Sequence, residues 1–493
     1  MTNPFSKMIR VGIKTSPLQA ILLFVNQAIA KFFQPKWESY LYVILPHPTE
    51  AKILMLSERG SYFLPHVRVN KSIDYANFMT IKSEIEPELG FSVNILYYAS
   101  QDYDKSKRQI CYIYVLERDA SVAKFKEGDW IDLEILRNQS LKFPEHKSVI
   151  ETYLTEIESG DIPELRPPWA REGWLQSAVQ WIDEQLLKLN YHRLSPVECI
   201  RSCGISCVLR VNTSVGNIYL KESSQLPLFC NEPVVTAELA NLFSVHIPNV
   251  LSIDTQRHWM LLADFGEPID RNTPIKLQKD IYRLLAQIQI KSVQHIDNLL
   301  SVGCLDRRLN WLATQIDVLF NDEIALSQLQ ADEIKQLQTF APYLENLCSQ
   351  LASYQIPQTL VHGDLHLGNV AFYKDSYLLF DWTDSCISHP FFDMFELFFP
   401  RQDKPFSSAL KDLQEEYLAQ WTAYEPMSRL LEAWTLTKPL CALHHAVSYQ
   451  HIVACLEPRA KQELSNALPH FLRELLKCTI ELVENNEYRL KLG

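Results

Sequence analysis

The chain has 493 residues, of which 47% are hydrophobic and 22% charged, as in an ordinary globular protein with room for two or three domains. Its net charge of −12, without a long basic run, disfavours nucleic-acid binding. The eleven cysteines are scattered and odd in number, which is typical of reduced thiols in a cytoplasmic protein.

Residues 1–36 predict an N-terminal amphipathic segment. Apolar residues at 20–25 are interrupted at their margins by Gln19, Asn26 and Gln27. We expect a helix over 17–33 that packs on the first domain, with peripheral membrane contact as the alternative. The run is too short for a membrane span, and the rest of the chain contains no run of 18 apolar residues, so no integral span is expected.

Residues 37–160 predict a strand-rich α+β domain. Runs of β-branched and aromatic residues predict strands at 40–45, 52–56, 93–99 and 109–116, with a helix over 81–89. This order resembles a Nudix-type domain, and the segment 83–91 matches the tail of the Nudix box at Glu84, Glu88, Gly90 and Phe91. Ser83 and Pro87 stand where that box has Arg and a catalytic Glu. A metal site made of several carboxylates does not tolerate such losses, so we predict a Nudix-like domain without hydrolase activity that senses a ligand or binds a protein partner.

Residues 161–197 predict a linker followed by a packing helix. Pro163, Pro167 and Pro168 end the first domain. A helix over 175–189 then places its apolar residues on one face, and packing is the preferred role for its tryptophans.

Residues 198–270 predict a small lobe built on strands at 206–211 and 217–221. Lys221 ends the second strand and lies N-terminal to a helix that begins at Glu232. Glu232 is the predicted ion-pair partner of Lys221, with Glu238 as the alternative. The turn before the first strand ends at Ser206. The segment 259–265, followed by Gly266, resembles the last strand and hinge of the small lobe in two-lobed kinases, which implies a hinge at Gly266.

Residues 271–493 predict a helical lobe. Helical periodicity occurs at 275–289, 308–320, 334–350, 407–423, 427–451 and 460–485. His444, Ser448 and His451 share one helical face, where a satisfied, partly buried histidine is favoured over a substrate contact. The segment 421–449, with Glu432 and several aromatic residues, is the predicted region of acceptor recognition.

The segment 359–393 carries the chemistry. An apolar run leads into His-Gly-Asp-Leu-His at 362–366, Asn369 follows five residues after Asp364, and a second apolar strand at 377–380 ends on Asp381. This order predicts two carboxylates and an amide at one end of a hairpin-like unit. Asp364 can accept the proton of a substrate hydroxyl, while Asn369 and Asp381 offer oxygens to a Mg²⁺ ion that bridges ATP phosphates. An isolated Gly-Asp is usually turn chemistry, but turn propensity does not explain the joint pattern.

The pattern resembles the aminoglycoside phosphotransferase/choline kinase-like family, which is related to the protein kinases. The resemblance covers about 170–480 and implies a two-lobed fold, with Asp364 as catalytic base and Asn369 and Asp381 as magnesium ligands. It also implies that Lys221 reaches the ATP phosphates and pairs with Glu232.

Three further positions have predicted roles, and those of Asp393 and Ser206 come from the same resemblance. Asp393 would brace the catalytic loop, although His389 stands where the family often has Gly before Pro. Ser206 would lie in the loop that covers the phosphates, here without a Gly-x-Gly-x-x-Gly motif. His366 would brace the catalytic loop or position phosphate, and bracing is preferred.

The Gly-Asp-Leu-His sequence is also found in metallophosphoesterases. Those proteins need Gly-Asn-His and Gly-His-x-His segments. This chain lacks them, because no Gly is followed directly by His and Gly368-Asn369 is followed by Val370. This class is therefore excluded.

The predicted function is ATP- and Mg²⁺-dependent transfer of the γ-phosphate to a hydroxyl of a small molecule. The alternative is a nucleotide-binding regulatory protein without phosphotransfer. A protein acceptor is disfavoured, because the connection from Asp381 to Asp393 is too short for an activation segment.

Overall fold

The computed structural model describes residues 37–69, 73–104, 106–118, 128–270, 273–400, 408–464 and 466–492. The predicted amphipathic segment 1–36 lies outside these residues. Two compact units are present, one within the chain up to residue 154 and one made of residues 155–493 with 76–79 and 95–97. Among the described residues, no helix combines the length and the apolar character needed to cross a membrane.

The first unit contains two small sheets. The strands and helices up to residue 159 are β1 Glu38–Ile44, β2 Ile53–Glu58, β3 Ser61–Phe63, β4 His66–Val69, α1 Phe78–Leu89, β5 Ile95–Asp104, β6 Gln109–Leu116, β7 Asp129–Ile131, α2 Leu133–Asn138 and α3 Lys147–Ser159. In one sheet the strand order is β4-β1-β6-β5, with β1 parallel to β6 and antiparallel to β4, and in the other it is β3-β2-β7. Consecutive buried residues at 41–45 and 112–116 place β1 and β6 in the core.

The predicted strands and helix of this unit are present, within a few residues of their predicted bounds. Glu84 and Glu88 lie on α1, where Glu88 is exposed. The Nudix-like assignment and the lack of hydrolase activity stay predictions, as do the predicted domain boundaries.

The part of the second unit up to residue 263 contains a five-stranded antiparallel sheet and two helices. The bounds are α4 Trp174–Lys188, β8 Glu198–Ser202, β9 Ser206–Thr213, β10 Gly216–Ser223, α5 Glu232–Leu242, β11 Val250–Asp254 and β12 Trp259–Ala263. The sheet order is β11-β12-β10-β9-β8, and helix α5 is inserted between β10 and β11. The alternation of Ile218 and Leu220 with Tyr219 and Lys221 suits β10 to a central position, since successive side chains point to opposite faces of the sheet.

The rest of the second unit is mainly helical and contains one large apolar core. Its helices are α6 Ile275–Ser292, α7 Ile296–Ser301, α8 Leu309–Phe320, α9 Glu323–Leu326, α10 Ala331–Ala352, α11 Phe395–Phe398, α12 Ser408–Ala419, α13 Met427–Ala454, α14 Pro458–Leu464 and α15 Ala467–Leu492. The predicted helix at 460–485 is in fact two helices. Pro469 lies in the first turn of α15, where its missing N–H is tolerated, and it would have broken a continuous helix.

Short strands lie within this helical region, and their bounds are β13 Leu305–Asp306, β14 Thr359–Val361, β15 Val370–Tyr373, β16 Ser376–Leu379 and β17 Cys386–Ser388. The strand before the His-Gly-Asp turn, β14, pairs with β17, and β15 pairs with β16. This differs from the predicted hairpin of the two strands around the motif. Lys374 and Asp375, both at positive φ, form the two-residue turn that closes β15 on β16.

The order of a sheet with one inserted helix, followed by a helical region, is the two-lobed organisation that the sequence predicts. The predicted α+β class is confirmed.

Candidate active site

Lys221 lies at the centre of a buried polar network. Its Nζ donates to Glu232 Oε1 at 2.7 Å, to Asp381 Oδ1 at 2.6 Å and to Thr383 Oγ1 at 3.0 Å. Only 7% of Lys221 is exposed. Burial disfavours its charge, but Asp381 and Glu232 outweigh burial and raise the pKa of Lys221, so the ammonium group is retained.

Glu232 is the first residue of helix α5 and is buried. Its other carboxylate oxygen accepts a hydrogen bond from Ser223 Oγ at 2.5 Å. The predicted pairing of Lys221 with Glu232 is therefore present, whereas Glu238, the alternative, accepts from Asn298. The pair joins strand β10 to helix α5 and fixes the direction of the lysine side chain.

Asp381 connects the helical region to this network. It has φ of +67°, an unusual conformation for a residue other than Gly. Its Oδ1 accepts from both Lys221 and Thr383, the latter at 2.9 Å. Burial alone would raise the pKa of Asp381, but the charge and hydrogen bond of Lys221 lower it to about 2, so this carboxylate is ionised at neutral pH.

Asp393 accepts hydrogen bonds from the backbone of the predicted catalytic loop. The Asp393 carboxylate accepts from the backbone N–H of His362 at 3.0 Å and of Gly363 at 2.9 Å, and from Gln289 Nε2 at 2.8 Å. Burial raises the pKa of Asp393 to about 7, in opposition to these hydrogen bonds. The contacts are those of a bracing aspartate, the role that the resemblance implies.

Gly363 is the position in the loop that requires glycine. Its φ is +87°, and a Cβ there would lie 2.4 Å from the carbonyl oxygen of Asp384. Any side chain would push Asp384 away from the loop, so the turn before Asp364 depends on a close backbone approach.

Asp364 and Asn369 are brought together by the loop. Asn369 Nδ2 donates to the carbonyl oxygen of Asp364 at 2.9 Å and lies 3.4 Å from its Oδ2. Burial, and then the negative charges of Asp384 and Asp381, raise the pKa of Asp364 well above its usual range. His366 accepts from the backbone N–H of Gly368 at 3.0 Å, which supports the bracing role.

The two predicted magnesium ligands are neighbours through the backbone. The N–H of Phe380, the residue before Asp381, donates to the carbonyl oxygen of Asn369 at 3.1 Å. Among the described residues, no group of three or more His, Cys, Asp or Glu side chains could by itself hold a metal ion. An amide oxygen and a carboxylate oxygen still fit Mg²⁺, which commonly takes one or two protein ligands beside water and substrate phosphates.

Ser206 is the first residue of β9 and lies opposite Ser223, two residues after Lys221. Its carbonyl oxygen accepts from the N–H of Cys203 at 3.0 Å, which closes the turn 203–206. It is not among the residues that bond Lys221, so its contact with nucleotide stays a prediction. The predicted hinge at Gly266, with φ of +83°, follows Phe265, whose ring lies 4.9 Å from that of Phe380.

The sequence did not indicate Ser223 and Thr383. Ser223 Oγ lies 3.4 Å from Thr383 Oγ1, and together these hydroxyls connect Glu232 with Asp381. Small hydroxyl residues are common in turns and at strand ends, so neither stood out. The position of Thr383, two residues after Asp381, was the one available signal.

The predicted acceptor region on α13 is more buried than its pattern indicated. Ser448 accepts from Arg307 Nη2 at 2.7 Å, and the same nitrogen donates to the carbonyl oxygen of His444 at 3.3 Å. His444 and Arg307 are each 1% exposed. These side chains pack inside the helical region, so a packing role is preferred to a substrate contact. The expected satisfied, partly buried histidine is wrong for His444, since neither of its ring nitrogens has a hydrogen-bond partner among the described residues.

Residues 235–430 match the model of the family described as the phosphotransferase enzyme family. A structure of a choline/ethanolamine kinase family protein from Mesorhizobium loti is similar to the chain, with 15% identity, a TM-score of 0.41 and coverage of 60% of this chain and 98% of that one. An ethanolamine kinase from Plasmodium vivax has 13% identity, a TM-score of 0.43 and coverage of 69% and 95%. A choline kinase from Streptococcus pneumoniae has 12% identity, a TM-score of 0.41 and coverage of 61% and 99%.

No curated protein matches the sequence. The matched segment contains helix α5 from residue 235 onward, the predicted catalytic loop and Asp381, whereas Lys221 and Glu232 precede it. Residues 235–430 of this chain are therefore similar in sequence to the phosphotransferase enzyme family, in agreement with the predicted resemblance.

Proposed function

We propose that the protein transfers the γ-phosphate of ATP, with Mg²⁺, to a hydroxyl group of a small molecule. One observation carries the proposal: Lys221 from the sheet and Asp381 from the helical region, 160 residues apart, meet at 2.6 Å beside the loop of Asp364 and Asn369. Phosphoryl transfer requires a cation that binds the phosphates, oxygen atoms that bind a metal ion, and a carboxylate that accepts the hydroxyl proton.

On the nucleotide side, the role of Lys221 is to present its ammonium group to phosphate oxygens. Glu232 would keep that group in place through its 2.7 Å bond to Lys221 Nζ, which does not depend on the Asp381 carboxylate. Asn369 and Asp381 would hold Mg²⁺, which supplies neutralisation of the charge on the phosphates.

On the acceptor side, Asp364 accepts the hydroxyl proton. Asn369 holds the Asp364 backbone and lies beside its carboxylate, so the oxygen that receives the proton has a fixed direction. Asp393 holds the two N–H groups that precede Asp364, which keeps the loop from shifting.

A small acceptor is supported by the segment between Asp381 and Asp393. It is folded as strand β17 and a short 3₁₀ helix at Pro390–Met394, and its residues at 385–393 are buried. Because these residues are buried, this segment does not itself offer a surface on which a peptide could lie.

The proposal is tested by calorimetry of Mg-ATP binding to the wild type and to Asp381→Ala, together with ADP release across a panel of hydroxyl compounds. We expect magnesium-dependent binding that Asp381→Ala abolishes, and turnover with at least one compound. Asp412→Ala on the exposed face of α12 is the matched control and should bind as the wild type does. Binding without any turnover would favour the regulatory alternative, and no binding would refute the proposal.

A further inference from the structure

Glu222 is a buried carboxylate directly after Lys221. It is 3% exposed, and its Oε2 accepts from Trp174 Nε1 at 2.7 Å and from Trp259 Nε1 at 2.5 Å. The two indoles come from different elements, Trp174 from helix α4 and Trp259 from strand β12. One oxygen atom therefore ties three elements together.

Glu222 and Lys221 point to opposite faces of the sheet, because successive strand residues alternate. The face of Lys221 carries the network with Glu232 and Asp381. The other face is covered by α4, whose Trp181 ring lies 5.5 Å from the ring of Trp259. Strand β10 is thus held between the candidate active site and α4.

Burial of an ionised carboxylate at this position is unfavourable for the stability of the fold. Its hydrogen-bond donors are neutral indoles, and burial raises the pKa of Glu222 to about 7 in opposition to those two bonds. Arg257 lies over the Trp259 ring, 4.0 Å from its centroid, and attracts Glu222 without bonding to it. An apolar side chain would fill the same space without this cost, but it would lack the two directed bonds that orient α4 and β12 on the strand.

Helix α4, like Lys221 and Glu222 themselves, precedes the segment that matches the phosphotransferase family, which begins at residue 235. We propose that Glu222 is a positioning residue that uses α4 and β12 to fix strand β10, and thereby the place of Lys221, for nucleotide binding. This inference rests on the proposed function, and it extends the nucleotide-binding part of the protein to Trp174.

The test compares Glu222→Leu, Glu222→Gln and Trp174→Phe in the full chain. One readout is the Kd of Mg-ATP, and the second is hydrogen exchange of the β10 amides at 216–223 in nucleotide-free protein. Ser252→Ala is the matched control, because it removes a different bond to α4, from Ser252 Oγ to Gln185 Oε1 at 2.9 Å, without touching β10.

We expect Glu222→Leu and Trp174→Phe to raise the Kd of Mg-ATP about tenfold and to speed exchange in β10. Glu222→Gln, which still accepts from an indole, should restore most of the affinity. Ser252→Ala should change neither readout. Trp174→Phe decides the matter if Glu222→Leu does not fold, since Trp174 is only partly buried.

Unchanged exchange and unchanged affinity in Trp174→Phe would overturn the inference. Equal changes of the Kd and of the exchange rates in Ser252→Ala and Trp174→Phe would also overturn the inference, because they would mean that α4 only stabilises the fold. If the wild type does not bind Mg-ATP, the proposed function fails, and the exchange measurement still shows whether Glu222 holds β10.

Discussion

The pair of Lys221 and Glu232 gives a prediction whose magnitude can be worked out from the structure. Lys221→Met removes a cation whose Nζ makes three hydrogen bonds, and it leaves the Glu232 side chain, 2% exposed, without its partner. Removal of one partner of a buried ion pair costs about 3–5 kcal/mol, because the remaining charge is left uncompensated. We expect this loss in the free energy of unfolding.

The double variant separates pairing from packing. Glu232→Gln in the Lys221→Met background replaces the stranded carboxylate with a neutral amide that can still bond Ser223. We therefore expect the double variant to be about 2 kcal/mol more stable than the sum of the single losses predicts. The assay is urea unfolding of the nucleotide-free protein, followed by tryptophan fluorescence and circular dichroism.

An exposed pair serves as the control for this cycle. Lys438 Nζ lies 3.5 Å from Glu481 Oε2 between α13 and α15, with side chains 34% and 49% exposed. The same substitutions there should couple by less than about 1 kcal/mol, since solvent screens the charges. Equal coupling at the two pairs would refute the argument that burial makes the Lys221 pair strong.

Three further outcomes are expected. Asp364→Asn should lower kcat by about 10²–10⁴-fold, because the proton acceptor is lost. Calorimetry should show that the variant binds Mg-ATP with an affinity close to that of the wild type. A variant with wild-type activity would contradict the role of Asp364 as the base. Glu222→Gln should remove a pH dependence of the free energy of unfolding. Burial raises the pKa of Glu222 from 4.5 to about 7, so the folded wild type binds the proton more tightly than the unfolded chain does. The wild type therefore loses about 3 kcal/mol of stability as the pH rises from 4.5 to 7, since a shift of 2.5 pKa units corresponds to 1.36 kcal/mol for each unit. Urea unfolding at pH 5 and pH 8 measures the difference between the two proteins, and a difference that does not change with pH would refute it. Thr383→Val should destabilise the protein by about 1–2 kcal/mol through the lost hydroxyl bridge, Thr383→Ser should restore it, and equal losses in both variants would point to packing instead.

The chemical segment could be predicted from sequence because its parts are local. Asp364, Asn369 and Asp381 lie within 18 residues, and the strands around them have clear apolar runs. Strand and helix periods also predicted β9, β10 and most helices, since burial of one face imposes a period of 2 or 3.6 on the sequence. A resemblance to a family then supplied an expected role for each residue.

The sequence could not decide which distant residues meet. Glu232 and Glu238 both follow Lys221 at plausible spacing, and only the packing of α5 turned Glu232 toward it. The sequence also left the strand pairing around the motif undecided, because a three-residue strand such as β14 can pair with any nearby strand edge. In the structure the Lys374-Asp375 turn pairs β16 with β15, and β14 pairs with β17 instead.

The sequence alone therefore determined the α+β class, the motif of 362–381 and the lysine that precedes it, since these depend on residue type and local period. Tertiary structure decided that Lys221 meets Asp381, that Thr383 and Ser223 join them, and that Glu222 is bonded by Trp174 and Trp259. The physical reason is that the role of a hydroxyl or a buried carboxylate depends on hydrogen-bond partners that lie 9 to 160 residues away in the chain. No local sequence pattern indicates which of these partners the folded core brings within hydrogen-bond distance.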